Sequence, residues 1–170
     1  MNLSEASSTF AMAVLCVATL RLPSTGSRSW LRGREVCAEY QQLDLYEEGL
    51  SLMGVADSTP ERVAQNLVEG VEAFDRAVKV KRTPFPFGHK MHPHLRPYFV
   101  DGYTSLIEEG HHREAMLWLT AFYGSACTIM LVDGPESAKP EFAGRWAQLL
   151  GRWAVRTLCS HFQPFASPCR

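Results

Sequence analysis

The stretch GHKMHPHLRP, Gly88 to Pro97, holds three histidines, Lys90 and Arg96 within ten residues bounded by glycine and proline. Two chemistries use such a set. Extended backbone across His92, Pro93 and His94 projects both imidazoles to one side, and His89 can then close a three-nitrogen face of the sort that zinc or iron accepts. Alternatively, Arg82, Lys90, Arg96 and partly protonated histidines receive an anion, with arginine gripping phosphate through two parallel hydrogen bonds. Four prolines, at positions 84, 86, 93 and 97, limit what ordering such a loop costs. Phe85 and Phe87 either stack on a ligand ring or anchor the loop to the body of the protein. The plain alternative is a solvated polar crossing between helices. The adopted reading is a contact loop of Arg82, His89, Lys90, His92, His94 and Arg96 for a phosphate-bearing small molecule or a partner protein. No cofactor is expected, and zinc or iron on His89, His92 and His94 is the alternative.

Two further spacings bear on chemistry. In EEGHH, Glu108 with His111 and Glu109 with His112 are both Glu-x-x-His, which on a continuous helix sets a carboxylate and an imidazole on one side. Ferritin-like di-iron bundles need two such motifs on different helices, and Gly110 interrupts this single locus. Arg156 and His161 form R-x-x-x-x-H, which resembles the ribonuclease motif of HEPN helical bundles, where such a pair acts on the scissile phosphate. Thirteen arginines and six histidines produce about one such pair by chance, so a solvated helix end competes with catalysis there.

What surrounds these residues is ordinary globular sequence. The chain of 170 residues has the length of one domain, and its 46% hydrophobic and 21% charged residues suit a single core. A formal net charge of -1 supplies no overall field for nucleic acid or an anionic membrane. Five scattered cysteines with no C-x-x-C pair argue against structural zinc and a secreted disulfide framework. Phe10 to Leu20 is apolar, but Glu5 precedes it and no Lys or Arg does, so a buried helix is expected rather than a signal peptide. The uncharged run Met116 to Val132 is slightly short for a bilayer and carries polar residues, so a central core helix is expected rather than a membrane span. The location expected is cytoplasmic.

The elements that must position the loop read as helices. Ser4 can cap one that runs to about Leu22; RSWLRGREVCAEYQQL is a second, and Asp44 caps a short third. Ser58 and Glu61 have capping-box spacing with Pro60 between them, and Val63, Leu67, Val71, Phe74 and Val78 then form one apolar stripe. Prolines keep Lys81 to Pro97 non-helical. Helix resumes near Tyr98, stops at Gly110, and restarts as HHREAMLWLTAFYGSACTIMLV to make a helical hairpin. A last helix, EFAGRWAQLLGRWAVRTLCSHF, buries Phe142, Trp146, Leu149, Leu150 and Trp153, and a loose tail follows from about residue 163. No stretch alternates with period two. The expectation is an all-α single domain over residues 1–170, a multi-helix bundle of six or seven helices with one long Pro/His-rich loop. The apolar face of the first helix fits a piece of a larger protein.

The segment from about Trp30 to Leu150, above all LRPYFVDGYTSLIEEGHHREAMLWLTAFYGSACTIMLVDGPE, resembles the helical accessory domain of nucleotidyltransferases, the kanamycin nucleotidyltransferase and HEPN group. That resemblance implies a bundle that supports or completes a substrate pocket. Nucleotidyltransferase catalysis needs a Gly-Ser turn followed by D-x-D acids, because two carboxylates hold the metal ions that bridge nucleotide phosphates. Here Gly124 and Ser125 lie in an apolar run, and Asp133 is followed by Gly134 and Pro135. The expected function is therefore a non-catalytic binding or interaction domain whose catalytic half lies in another chain or a missing region. A histidine-ligated metal enzyme and a HEPN-like ribonuclease using Arg156 and His161 are the alternatives.

Overall fold

The computed structural model describes residues 28–85 and 88–152, and these form six α-helices and no strand: an all-α fold. α1 (Ser29–Glu39) and α2 (Leu43–Leu52) pair with each other; α3 (Pro60–Val80), α4 (Arg96–Glu108), α5 (His112–Asp133) and α6 (Lys139–Arg152) follow. The helix expected from Ser4 and the loose tail fall outside the described residues.

Side-chain pairings fix the directions. Phe74 meets Phe99, and Asp75 holds Arg96, so α3 and α4 run oppositely. Phe99 meets Phe122, and Tyr103 bonds to Trp118, so α4 and α5 also run oppositely. Arg76 pairs with Glu141 and Arg145 with Glu72, which sets α6 against α3. The four helices thus alternate up and down around one core, the arrangement that short connections favour.

The local signals explain the boundaries. Thr59, not Ser58, caps α3: its Oγ1 accepts the Arg62 N–H at 3.3 Å, because Pro60 occupies the first helical turn and leaves the preceding residue to cap. Asp44 lies in the first turn of α2, after Gln42 as the flanking residue. α4 begins at Arg96, two residues before the expected Tyr98, since proline is tolerated in a first turn. Gly110, at φ +82, ends it in a conformation that a side chain would strain.

Packing follows the predicted stripe, with an addition. Val63, Leu67 and Phe74 are buried, and so are Asn66, Gly70, Ala73 and Ala77 between them. These small residues bring α3 against α5. A Cβ on Gly70 would stand 3.4 Å from Leu119 and from Tyr123. α5 is long and apolar enough to cross a membrane by length and composition, and 67% of its apolar window is buried within the bundle. α3, α4 and α6 pack on it.

Polar contacts hold the periphery. Tyr46 on α2 donates a buried hydrogen bond of 2.5 Å to Glu114 on α5, and burial foremost pushes its phenol pKa up. Arg113 forks onto Glu47 at 2.7 and 3.0 Å. On the opposite side, Arg76 and Arg145 flank the Phe142 ring at 4.5 and 5.1 Å while sharing Glu72 and Glu141. Two acids on the polar side of α3, Glu72 and Asp75, are thus ion-paired. Cys37 and Cys127 are buried, and burial pushes the Cys127 thiol up to about 12.

Candidate functional site

The segment between α3 and α4 begins by being tied down. The Asp133 carboxylate, at the end of α5, accepts the backbone N–H of Arg82 at 2.6 Å, that of Thr83 at 2.8 Å, and the Thr83 hydroxyl at 2.6 Å. Those donors, the Arg82 N–H first, hold its pKa down at about 2. Arg82 Nη2 donates to the Asp133 carbonyl at 3.2 Å. Lys81 then reaches across the loop, giving its ammonium to the carbonyls of Gly88 at 2.7 Å and Met91 at 3.0 Å. Met91 is buried in the core.

The chain passes through two short 3₁₀ turns, Gly88–Lys90 and Pro93–Leu95. His92 is extended (φ -134, ψ 139), as the following proline requires. His92 and His94 are exposed and face each other, with ring centroids 4.2 Å and Nδ1 atoms 2.5 Å apart. The His92-Pro93-His94 geometry expected from sequence therefore brings two imidazoles together, although through a turn rather than an extended run. Among the described residues, no group of three His, Cys, Asp or Glu side chains is placed to hold a metal ion. Arg96 gives its Nε to Asp75 at 2.7 Å, which raises its pKa. Glu108 and Glu109 belong to the end of α4 while His111 flanks and His112 opens α5, so neither Glu-x-x-His lies on one helix. Arg156 and His161 fall outside the described residues.

What the sequence reading missed is the space beneath the loop. A half-open pocket of about 140 Å3 lies between α4, α5 and the loop, lined by Lys90, Met91, Phe99, Tyr103, Trp118, Ala121, Phe122 and Ser125. Four of these residues are aromatic. Phe99 and Phe122 meet at 5.0 Å between centroids, and Tyr103 sits 5.8 Å from Phe122 edge to face. Such tilted contacts suit ring quadrupoles, but bulky rings between two helices also hold them apart. The Tyr103 hydroxyl donates to the Trp118 carbonyl at 3.3 Å and Ser125 Oγ to the Ala121 carbonyl at 2.8 Å, which leaves little on the walls seeking water. The Trp118 Nε1 is buried and makes no hydrogen bond. The available signal was the four-residue spacing of Phe99 and Tyr103 on α4 and of Trp118 and Phe122 on α5. Core packing produces the same spacing, so the pattern alone does not announce a cavity.

No family model matches the chain, and the comparisons with curated proteins and with solved structures likewise yielded no match.

Proposed function

We propose that this chain is a non-catalytic helical binding module whose ligand face is the end of the bundle where the loop after α3 roofs α4 and α5. The observation that carries this is the aromatic-lined pocket beside exposed Lys90. A concave, mostly apolar site with a few polar groups at its edge is the usual form of a small-molecule site. Asp133 also supports a non-catalytic reading, since its carboxylate oxygens are engaged by Arg82 and Thr83. The resemblance to nucleotidyltransferase accessory bundles belongs to the same proposal: the module supports substrate, and a partner chain or another region carries the metal-binding acids.

The test is ligand-observed NMR with a mixture of small ring-bearing compounds, run on the full chain and on Ala121→Phe. Ala121 is exposed and lines the pocket, so a ring there fills the space without entering the core. Compounds that bind the native protein and not the variant support the reading; an unchanged set of binders contradicts it.

A histidine-ligated metal is the second reading, favoured by the facing Nδ1 atoms of His92 and His94. Stoichiometric zinc or iron lost on changing His89, His92 and His94 together to alanine would promote it over the first.

A further inference from the structure

We infer that the pocket under the loop takes an uncharged hydrophobic compound with a single ring, held by burial of its apolar surface; this rests on the binding-module reading above.

Volume sets the size. A cavity of about 150 Å3 lined by apolar side chains stays dry and takes a guest the size of benzene, and this one measures about 140 Å3. One six-membered ring fills it. A second fused ring would have to stand outside, in water, where its surface contributes nothing. The walls match a flat guest in kind as well, since Phe99, Tyr103, Trp118 and Phe122 offer faces and edges, and the Met91 thioether a polarizable sulfur.

The polar atoms on those walls set the charge. Tyr103 and Ser125 are the lining residues with hydroxyls, and both hydroxyl protons are already given, to the carbonyls of Trp118 at 3.3 Å and Ala121 at 2.8 Å. The Trp118 Nε1 is closed off from water, and therefore from a guest that occupies water's place. No Asp or Glu lines the pocket. A carboxylate drawn in among the rings finds neither hydroxyl proton, and an ammonium finds no carboxylate. Either would shed its hydration without new hydrogen bonds to replace it, and burial of charge is unfavourable unless such bonds form.

An uncharged ring gives up no such bonds and gains by leaving water. One hydroxyl on the guest is tolerated, because the Tyr103 and Ser125 oxygens keep lone pairs that accept a proton and the pocket is half-open to solvent. Such a guest also asks nothing of the ammonium of Lys90, the one charged residue that lines the pocket.

Ligand-observed NMR titration of the full chain with benzyl alcohol, benzoate, benzylamine and indole tests this, since the first three share one ring and differ in charge, and the last is uncharged with two. Benzyl alcohol is expected to bind at least tenfold more tightly than benzoate or benzylamine, and more tightly than indole. Ala121→Phe is expected to abolish benzyl alcohol binding; should that variant fail to fold, Ser125→Leu, one turn further along α5, fills the same space. Benzoate or benzylamine within tenfold of benzyl alcohol would overturn the uncharged class, and indole binding as tightly or more so would overturn the single-ring limit, with the pocket standing in both cases. Failure of every compound to bind, or binding indifferent to the filled pocket, would overturn the binding-module reading itself.

Discussion

Two seams of one bundle are built from opposite materials. Where α3 meets α5, Gly70 lets the helices close on Leu119 and Tyr123, with Ala73 and Ala77 buried further along α3, and where α5 meets α6, Gly124 receives the Trp146 ring against its bare Cα. Where α4 meets α5, Phe99, Tyr103, Trp118 and Phe122 stand between the axes, and a pocket remains. Small residues yield contact without voids, while large rings bury much area yet pack only at certain angles and leave space a ligand can use. The first seam is the frame, and the second is the site that the frame holds open.

The comparison can be broken from the frame side first. Phe74 is fully buried and stacks on Phe122 at 5.2 Å, joining the two seams. Phe74→Ala is expected to cost about 3–5 kcal/mol, because the ring's burial is lost and rigid neighbours cannot refill its volume. For a chain of this size that is roughly 2–4 °C of melting temperature per kcal/mol, readable in a denaturation scan. Gly124→Ala comes next. The added methyl would collide with Trp146 Cζ3, and overpacking of this kind costs about 1–3 kcal/mol, seen as a lowered denaturant midpoint.

Weaker effects belong to the charged periphery. Arg145→Ala removes pairs with Glu72 and Glu141 and a cation over Phe142. Such half-exposed pairs are each worth at most about 1 kcal/mol, so the loss should be close to that and shrink in high salt.

The Asp133 anchor is expected to act locally and with pH. Its carboxyl pKa is depressed by folding, so the ionised form favours the folded loop. That contribution is complete above about pH 4 and disappears as pH falls toward about 2. Hydrogen exchange at the Arg82 and Thr83 amides should quicken over that interval before the α3 amides do. Smallest of all is the site-side change: Ala121→Phe, which adds six carbons where Gly124→Ala adds one, should shift stability by no more than about 0.5 kcal/mol because space and solvent receive them. A large loss there would mean that the α4–α5 seam is as tightly filled as the α3–α5 one.

The sequence carried the frame more clearly than the site. Pro60, Gly110 and the three- and four-residue spacing from Val63 to Val78 encode helix starts, stops and faces through local rules, and the all-α bundle follows from them. Asp133 illustrates what those rules miss. It reads as a helix end beside Gly134 and Pro135, yet it anchors a loop fifty residues earlier in the chain, a contact that no periodicity reports. The cations Arg82, Lys90 and Arg96 were legible as a group, but that Arg82 is tied to the end of α5 and Arg96 to α3, and that Lys81 holds the loop's own carbonyls, depends on partners the sequence does not point to. The pocket was the least legible feature, because a void is a difference between shapes and leaves no residue of its own.

The most direct test of a site held open between α4 and α5 is the indole N–H spectrum of 15N-labelled protein during titration with benzyl alcohol. Trp118 lines the pocket, whereas Trp30 and Trp146 lie in other parts of the fold. The account predicts a saturable shift of the Trp118 resonance, with Trp30 and Trp146 unmoved and no shift in Ala121→Phe. A Trp118 resonance that stays fixed through saturating benzoate, phenylacetate and benzyl alcohol would contradict it.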